Sequence, residues 1–275
     1  MRLGCLATAA LLGLSCSHLA AAAPACGQMH QISGHEGQVL PFTVSAPAAP
    51  ARGVSLVLLA GGHGHVALDD AGCPTQLKGN SLLRARPLFQ ERGYEVLILD
   101  APADYQGEGG LAGFRVKPAH AQDIGQVVHW LRERGARQVW LLGTSRGSLS
   151  AVNAASRLQG DMAPDGLAIT SVLSAGGSGR QAWVAHSVFD LPLERIRQPT
   201  LLLGHVDDTC PRSPPSSQAR VAERIGASAQ TLLMSGGAGP VHGPDACEGR
   251  SPHGFWMQDA EMVAAILAFI EARRP

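Results

Sequence analysis

The sequence predicts an α/β fold, a doubly wound and mostly parallel sheet flanked by helices, on three observations. Short apolar runs bounded by Gly, Pro or Asp recur along the chain, and stretches with helical spacing lie between them. The runs are nearly continuous rather than alternating, as in strands covered on both faces. In chain order the strands are expected at Val54 to Leu59, Tyr94 to Leu99, Gln138 to Leu142, Leu167 to Leu173, Thr200 to Leu203 and Thr231 to Met234. Helices are expected at Ser81 to Arg92, Ala119 to Arg134, Ser145 to Gln159, Ser216 to Ile225 and Gln258 to Arg273. Alternation of the two calls for right-handed crossovers and layers of helix on both faces. Gln28 to Ile32 and Leu40 to Val44 fit antiparallel strands at one edge.

Length and composition agree with that class. The chain has 275 residues, 45% hydrophobic and 16% charged, with no internal repeat or charge block, so a single domain is expected. Its 22 basic residues balance 22 acidic ones, which leaves no field to hold a phosphate backbone or an anionic membrane. Nucleic acid is therefore not an expected partner. The 33 glycines exceed what a helical bundle uses, and 4% aromatic residues are few for a base-stacking surface.

Between Arg2 and Glu36 there is no Asp, Glu, Lys or Arg, and Leu3 to Leu14 is almost wholly apolar before the run Ala20 to Ala23. That pattern reads as a secretory signal peptide over residues 1–23, with the mature domain spanning 24–275 and exported to the periplasm or beyond. The tract is too short for a stable membrane span. Leu14-Ser15-Cys16 resembles a lipoprotein attachment site, but Gly13 stands where a large aliphatic residue is wanted, so lipid anchoring is the lesser expectation. Cleavage discards Cys5 and Cys16 and leaves Cys26, Cys73, Cys210 and Cys247, which allow three pairings. An even count in an oxidising compartment favours disulfides over buried thiols, and no Cys-x-x-Cys pair suggests a metal ribbon.

Gly143-Thr144-Ser145-Arg146-Gly147 has the form Gly-x-Ser-x-Gly. With 33 glycines and 20 serines in 275 residues, about 0.3 chance matches are expected, so the pentapeptide alone is weak. Its setting carries more weight, because it ends an expected strand and opens an expected helix. A sharp turn there has no room for side chains at 143 and 147, and it projects the Ser145 hydroxyl above the sheet with the Arg146 N–H facing a developing oxyanion. A serine that only caps the helix is the plainer alternative. Such a nucleophile needs a histidine base and a carboxylate in the order Ser, acid, His. Asp207 and Asp208 follow the strand from Thr200, and His253 precedes the last helix, with His242 as the second choice for the base.

At these residues the chain resembles the α/β-hydrolases, over essentially the whole mature length. The resemblance implies an acid spaced Gly-x-x-Asp-x-x-x-Pro, which Gly204, Asp207 and Pro211 satisfy; Asp207 is therefore expected as the acid and Asp208 as the fallback. It further implies an oxyanion contribution from Ala60-Gly61-Gly62-His63-Gly64, with Gly62 and His63 matching the family's His-Gly-Gly pattern best and Ala60 in the place of its histidine. With the loops so placed, Cys210 lies near the acid and Cys247 near the base, and a bridge between them would close 37 residues. Cys26 would then pair with Cys73.

The expected activity is hydrolysis of a small, soluble or short-chain carboxylic ester through an acyl-enzyme on Ser145, with no cofactor and no metal. Peptidase, lactonase or acyltransferase chemistry would use the same three residues. Two readings compete from other classes. His63 and His65 with Asp69 and Asp70 look like a metal cluster, but Ala67 and Leu68 stand where a binuclear zinc site needs ligands. A secreted binding protein that retains the fold would have no use for a complete Ser, Asp, His set. His205 is expected to line the site, and Asp100, Asp104, Arg115, His120 and Asp123 to cap loops or pair rather than bind substrate. The segment from Ser174 to Gly179 and on through Trp183, Val184, Val188 and Phe189 is too short for a long lid.

Overall fold

A computed structural model describes Met1, residues 26–176 and residues 185–274. Residues 2–23 of the expected leader, with Cys5 and Cys16, lie outside the described residues, as do Ser178, Gly179, Trp183 and Val184 of the short segment before Val188.

Eight strands form one sheet: β1 (Gln28–Ser33), β2 (Val39–Ser45), β3 (Val54–Leu59), β4 (Glu95–Leu99), β5 (Gln138–Thr144), β6 (Gly166–Thr170), β7 (Thr200–His205) and β8 (Ala229–Met234). Their spatial order is β1-β2-β4-β3-β5-β6-β7-β8. β1 and β2 pair antiparallel, β2 joins β4 antiparallel, and every later pairing is parallel. The predicted α/β class and the antiparallel edge are thus both present.

Among the described residues five α-helices cover the sheet: α1 (Ser81–Glu91), α2 (Pro118–Glu133), α3 (Gly147–Arg157), α4 (Gln218–Ile225) and α5 (Asp259–Glu271). Because side chains alternate along a strand, β3 sends Val57 and Leu59 to one core and Leu56 and Leu58 to the other. The first core is closed by Ile124 and Val127 of α2, Leu149 and Val152 of α3, and Val221 of α4. Leu82 and Phe89 of α1 close the second, together with Met262, Ile266 and Ile270 of α5. Burial on both faces explains the continuous apolar runs of the central strands. β8 departs from the expectation: as the edge strand it leaves Leu232 and Leu233 exposed.

Both disulfides form as anticipated, Cys26 with Cys73 and Cys210 with Cys247. No helix among the described residues is long and apolar enough to cross a membrane.

Candidate active site

β5 ends at Thr144 and α3 begins at Gly147, so Ser145 and Arg146 make the whole strand-to-helix turn. Ser145 takes φ +51°, the left-handed region that costs a non-glycine residue of order 1 kcal/mol or more. The turn is held because the Ser145 N–H donates to Thr170 O at 3.0 Å and its carbonyl accepts from the Ser148 N–H at 3.0 Å. A Cβ at Gly143 would come within 2.5 Å of Gly147 O, and one at Gly147 within 2.0 Å of Leu59 O. The two glycines are required by close approach, as the motif predicts.

His253 lies in a short 3₁₀ turn, Pro252–Gly254, capped by the Ser251 hydroxyl, which accepts from the His253 N–H. Its carbonyl accepts from the Ser171 hydroxyl at 2.7 Å. Arg84 clamps the flanking chain: bidentate to Asp259, it also donates to the carbonyls of Gly79, Gly249 and Gly254. The imidazole Nδ1 is 2.9 Å from Asp208 Oδ2, in a pair whose side chains are 4% and 1% exposed. At the other end of the ring, Nε2 is buried and has no hydrogen-bond partner among the described residues.

The carboxylate on His253 is therefore that of Asp208, which corrects the choice of Asp207. β7 continues through His205, two residues beyond the expected strand end, so the turn that follows starts later than the Gly204 to Pro211 spacing implies. Buried His205 sets the phase of that turn. Its Nδ1 accepts from the Asp207 N–H at 3.1 Å while Nε2 donates to Gly236 O at 3.0 Å. The Asp207 side chain is left outward at 43% exposure. Asp208 turns inward, its Oδ1 also accepting from the Cys210 N–H at 2.9 Å. His242 is exposed, stands at the start of another 3₁₀ turn and does not line the cavity.

Ser145, Arg146 and His253 line one cavity of about 370 Å³, together with Gly61, Gly62, Asn80 and the Cys210–Cys247 bridge. Arg212 and Glu248 add charge to its wall, whereas Leu77, Leu173 and Pro244 supply its few larger apolar surfaces. Burial and the neighbouring Arg212 lower the Arg146 guanidinium to about 10.

The loop after β3 brings Gly61 and Gly62 to the cavity, and not His63. A Cβ on Gly61 would lie 3.1 Å from the Ser145 Cβ, so Gly61 packs on the nucleophile, with Gly62 beside it on the cavity wall. Neither N–H donates a hydrogen bond among the described residues. His63 does not line the cavity: its carbonyl accepts from the Leu111 N–H, and burial and His65 lower its imidazole. His65 Nδ1 donates to Asp100 Oδ1 at 2.9 Å, and Asp69 caps the N–H groups of Ala71 and Cys73. His65 and Asp69 of the supposed metal cluster are thus engaged with different partners. Among the described residues the one group with metal-ligand spacing is Asp208, Cys210 and His253, and its cysteine is in a disulfide.

Asn80 is a site residue that the sequence reading missed. It caps α1, its Oδ1 accepting from the N–H groups of Leu82 and Leu83. That use of the oxygen turns the amide NH₂ away from the helix, and Nδ2 would stand 3.6 Å from a Cβ at Gly61. The available signal was Gly79-Asn80-Ser81 before an apolar helix, a capping pattern that says nothing of where the other half of the amide points. Asp100, Asp104, His120 and Asp123 do not line the cavity and are bonded internally, as expected; Asp123 and Asp104, for instance, both meet His35.

No family model matches the chain, and no curated protein does. Solved structures do. A lid-free α/β serine hydrolase of Xanthomonas campestris aligns over 86% of this chain and 94% of its own at 15% identity, with a TM-score of 0.55. An esterase of Pyrococcus furiosus aligns over 89% and 91% at 14% identity and a TM-score of 0.59. A 2,6-dihydroxy-pseudo-oxynicotine hydrolase aligns over 90% and 68% at 17% identity and a TM-score of 0.61. The sheet order, the turn at Ser145 and these likenesses together give the chain the α/β-hydrolase fold.

Proposed function

We propose that the protein is an exported serine hydrolase that cleaves short, polar carboxylic esters through an acyl-enzyme on Ser145. The observation that carries this reading is the buried His253 imidazole, fixed by Asp208 at Nδ1 and left without a partner at Nε2, on the wall of the cavity that holds the strained Ser145. A buried nitrogen without a partner costs free energy, and a role in proton transfer is a reason for the site to keep one.

In the proposed cycle the Ser145 oxygen bonds to the ester carbonyl carbon as its proton passes to His253 Nε2. The carbonyl oxygen becomes an oxyanion, held by the N–H of Arg146 at the head of α3 and by those of Gly61 and Gly62. Asp208 stabilises the imidazolium. Collapse breaks the ester C–O bond, and the departing alcohol takes the proton from Nε2. Water then adds to the acyl carbon, gives its proton to the same nitrogen, and the carboxylic acid leaves as Ser145 recovers its hydrogen.

Cavity size and the charged wall made by Arg146, Arg212 and Glu248 favour short polar acyl or alcohol groups over long lipid chains. The two disulfides support export to an oxidising compartment. Incubation with a fluorophosphonate probe, with peptide mass spectrometry, is expected to place the adduct on Ser145 and abolish p-nitrophenyl acetate hydrolysis. Ser145→Ala is expected to lower kcat at least about 10³-fold with an unchanged melting curve. A folded protein that takes no adduct and hydrolyses no ester would overturn the reading.

A further inference from the structure

Arg115 is fully buried in the 3₁₀ turn Ala112–Val116 that precedes α2. Among the described residues no carboxylate pairs with it, and its Nε has no partner. Its fork meets oxygen dipoles instead. Nη2 donates to Ala60 O at 2.9 Å and to Gly61 O at 3.4 Å, and Nη1 donates to the Ser150 hydroxyl of α3 at 2.7 Å. The backbone around the arginine is itself fixed, because Asn153 of α3 donates to the carbonyls of Arg115 and Lys117 at 2.9 and 2.7 Å. One side chain thus ties the loop after β3 to the helix that begins at the nucleophile.

Those two carbonyls are the informative contact. In a trans peptide the C=O and the next residue's N–H point in opposite directions. The carbonyls of Ala60 and Gly61 belong to the peptides that carry the N–H groups of Gly61 and Gly62. Drawing both oxygens down to a buried cation turns both N–H groups up, toward the wall shared with Ser145. The same cation polarises each peptide so that its N–H is the more positive end, and in a desolvated setting its field reaches the oxyanion little screened. A glycine pair has no intrinsic preference for this orientation, and peptides free to flip would lose the donors.

We infer that Arg115 is a positioning residue for acyl transfer, which sets and polarises the Gly61 and Gly62 peptides as oxyanion donors while itself touching neither substrate nor Ser145. A purely structural arginine would in addition stabilise the fold, but it would not distinguish a tetrahedral adduct from a bound ester. The inference rests on the proposed Ser145 chemistry, and its test separates the two. Wild-type protein is first required to take a fluorophosphonate at Ser145 and to turn over p-nitrophenyl acetate; failure there overturns the hydrolase reading and the role of Arg115 with it.

With that established, Arg115→Lys and Arg115→Gln are compared with wild type in kcat, KM and affinity for a boronic acid that mimics the tetrahedral adduct, after thermal melts confirm folding. Removing one oxyanion donor costs about 10²- to 10³-fold in kcat elsewhere, so Arg115→Gln is expected to lose about 10²-fold in kcat and a matching factor in boronate affinity, with KM within about threefold. Arg115→Lys, which keeps the charge but not the fork, is expected to recover part of the loss. A folded Arg115→Gln protein with kcat and boronate affinity within twofold of wild type would overturn the inference, as would a loss confined to KM or to the melting temperature. Should the glutamine variant not fold, the lysine variant decides alone by the same criteria. Should neither fold, Ser150→Ala, which frees one end of the fork, decides: lower kcat with unchanged KM supports the role, and unchanged kcat overturns it.

Discussion

The two ends of the cavity are held by opposite means. At the acid–base end a carboxylate faces an imidazole, a disulfide joins the loops that carry them, and Arg84 clamps the flanking carbonyls to Asp259. At the oxyanion end a buried cation has no carboxylate partner among the described residues: Arg115 holds the carbonyls of Ala60 and Gly61, and Arg146 Nη1 donates to Gly62 O at 3.4 Å. The first end is held by a hydrogen-bonded carboxylate, an ion pair and a covalent bridge, and the second by a cation without a carboxylate partner among the described residues. The difference teaches that the acid–base end should fail by misorientation and the oxyanion end by loss of field.

The largest effect expected from this contrast is at the carboxylate. Asp208→Asn should lower kcat by about 10² to 10⁴-fold by presenting the wrong hydrogen-bond partner to His253 Nδ1, whereas Asp207→Asn should leave it within about twofold. Steady-state kinetics on p-nitrophenyl acetate check both, and equal losses would erase the assignment. Next comes the staple. Replacing Cys210 and Cys247 by serine removes a 37-residue closure, for which chain entropy predicts a loss of about 3.5 to 4 kcal/mol. Urea unfolding measures that loss, and kcat should fall further than in a variant lacking Cys26–Cys73, whose bridge is far from His253 in the chain.

The oxyanion end is tested more gently by Asn80→Ser, which retains an oxygen to cap α1 and removes the NH₂. About a tenfold fall in kcat with a melting temperature unchanged within about 2 °C is expected; a shifted melt with unchanged kcat would reduce Asn80 to a cap. The smallest effect concerns His120, buried beside Arg115 with Nε2 2.8 Å from the Ser150 hydroxyl. Burial, and then Arg115, push its imidazole from 6.5 down to about 3. The unfolded chain therefore binds a proton that the native one refuses between about pH 3 and 6.5, so stability is full above that window and declines as pH falls through it. Denaturant titrations at pH 7 and pH 5 should show a smaller acid loss in His120→Gln than in wild type.

How much of this was legible followed from how local each constraint is. The turn at Ser145 could be read because the clash that demands glycine at 143 and 147 arises within five residues and the facing strand end. His253 was legible from its place before the last helix. Asp208 was ranked second to Asp207 because the end of β7 depends on how buried His205 is satisfied, by the Asp207 N–H on one side and Gly236, 31 residues away, on the other. Gly61 was passed over in favour of His63 for a related reason: the preceding carbonyl, that of Ala60, meets Arg115, 55 residues on in the chain. Spacing rules carry the chemistry of a motif but not the phase of a loop whose anchor is distant.

Gly79 stands apart from the other glycines of the cavity wall. A Cβ there would meet nothing within 4 Å, whereas Gly61 is pressed against Ser145. Among the glycines lining the cavity, Gly79 is thus the one that can take a side chain without a close contact. A library that varies residue 79 while leaving 61, 143 and 147 alone would sample cavities of graded size around intact chemistry, and selectivity for smaller esters should track the volume of the residue installed.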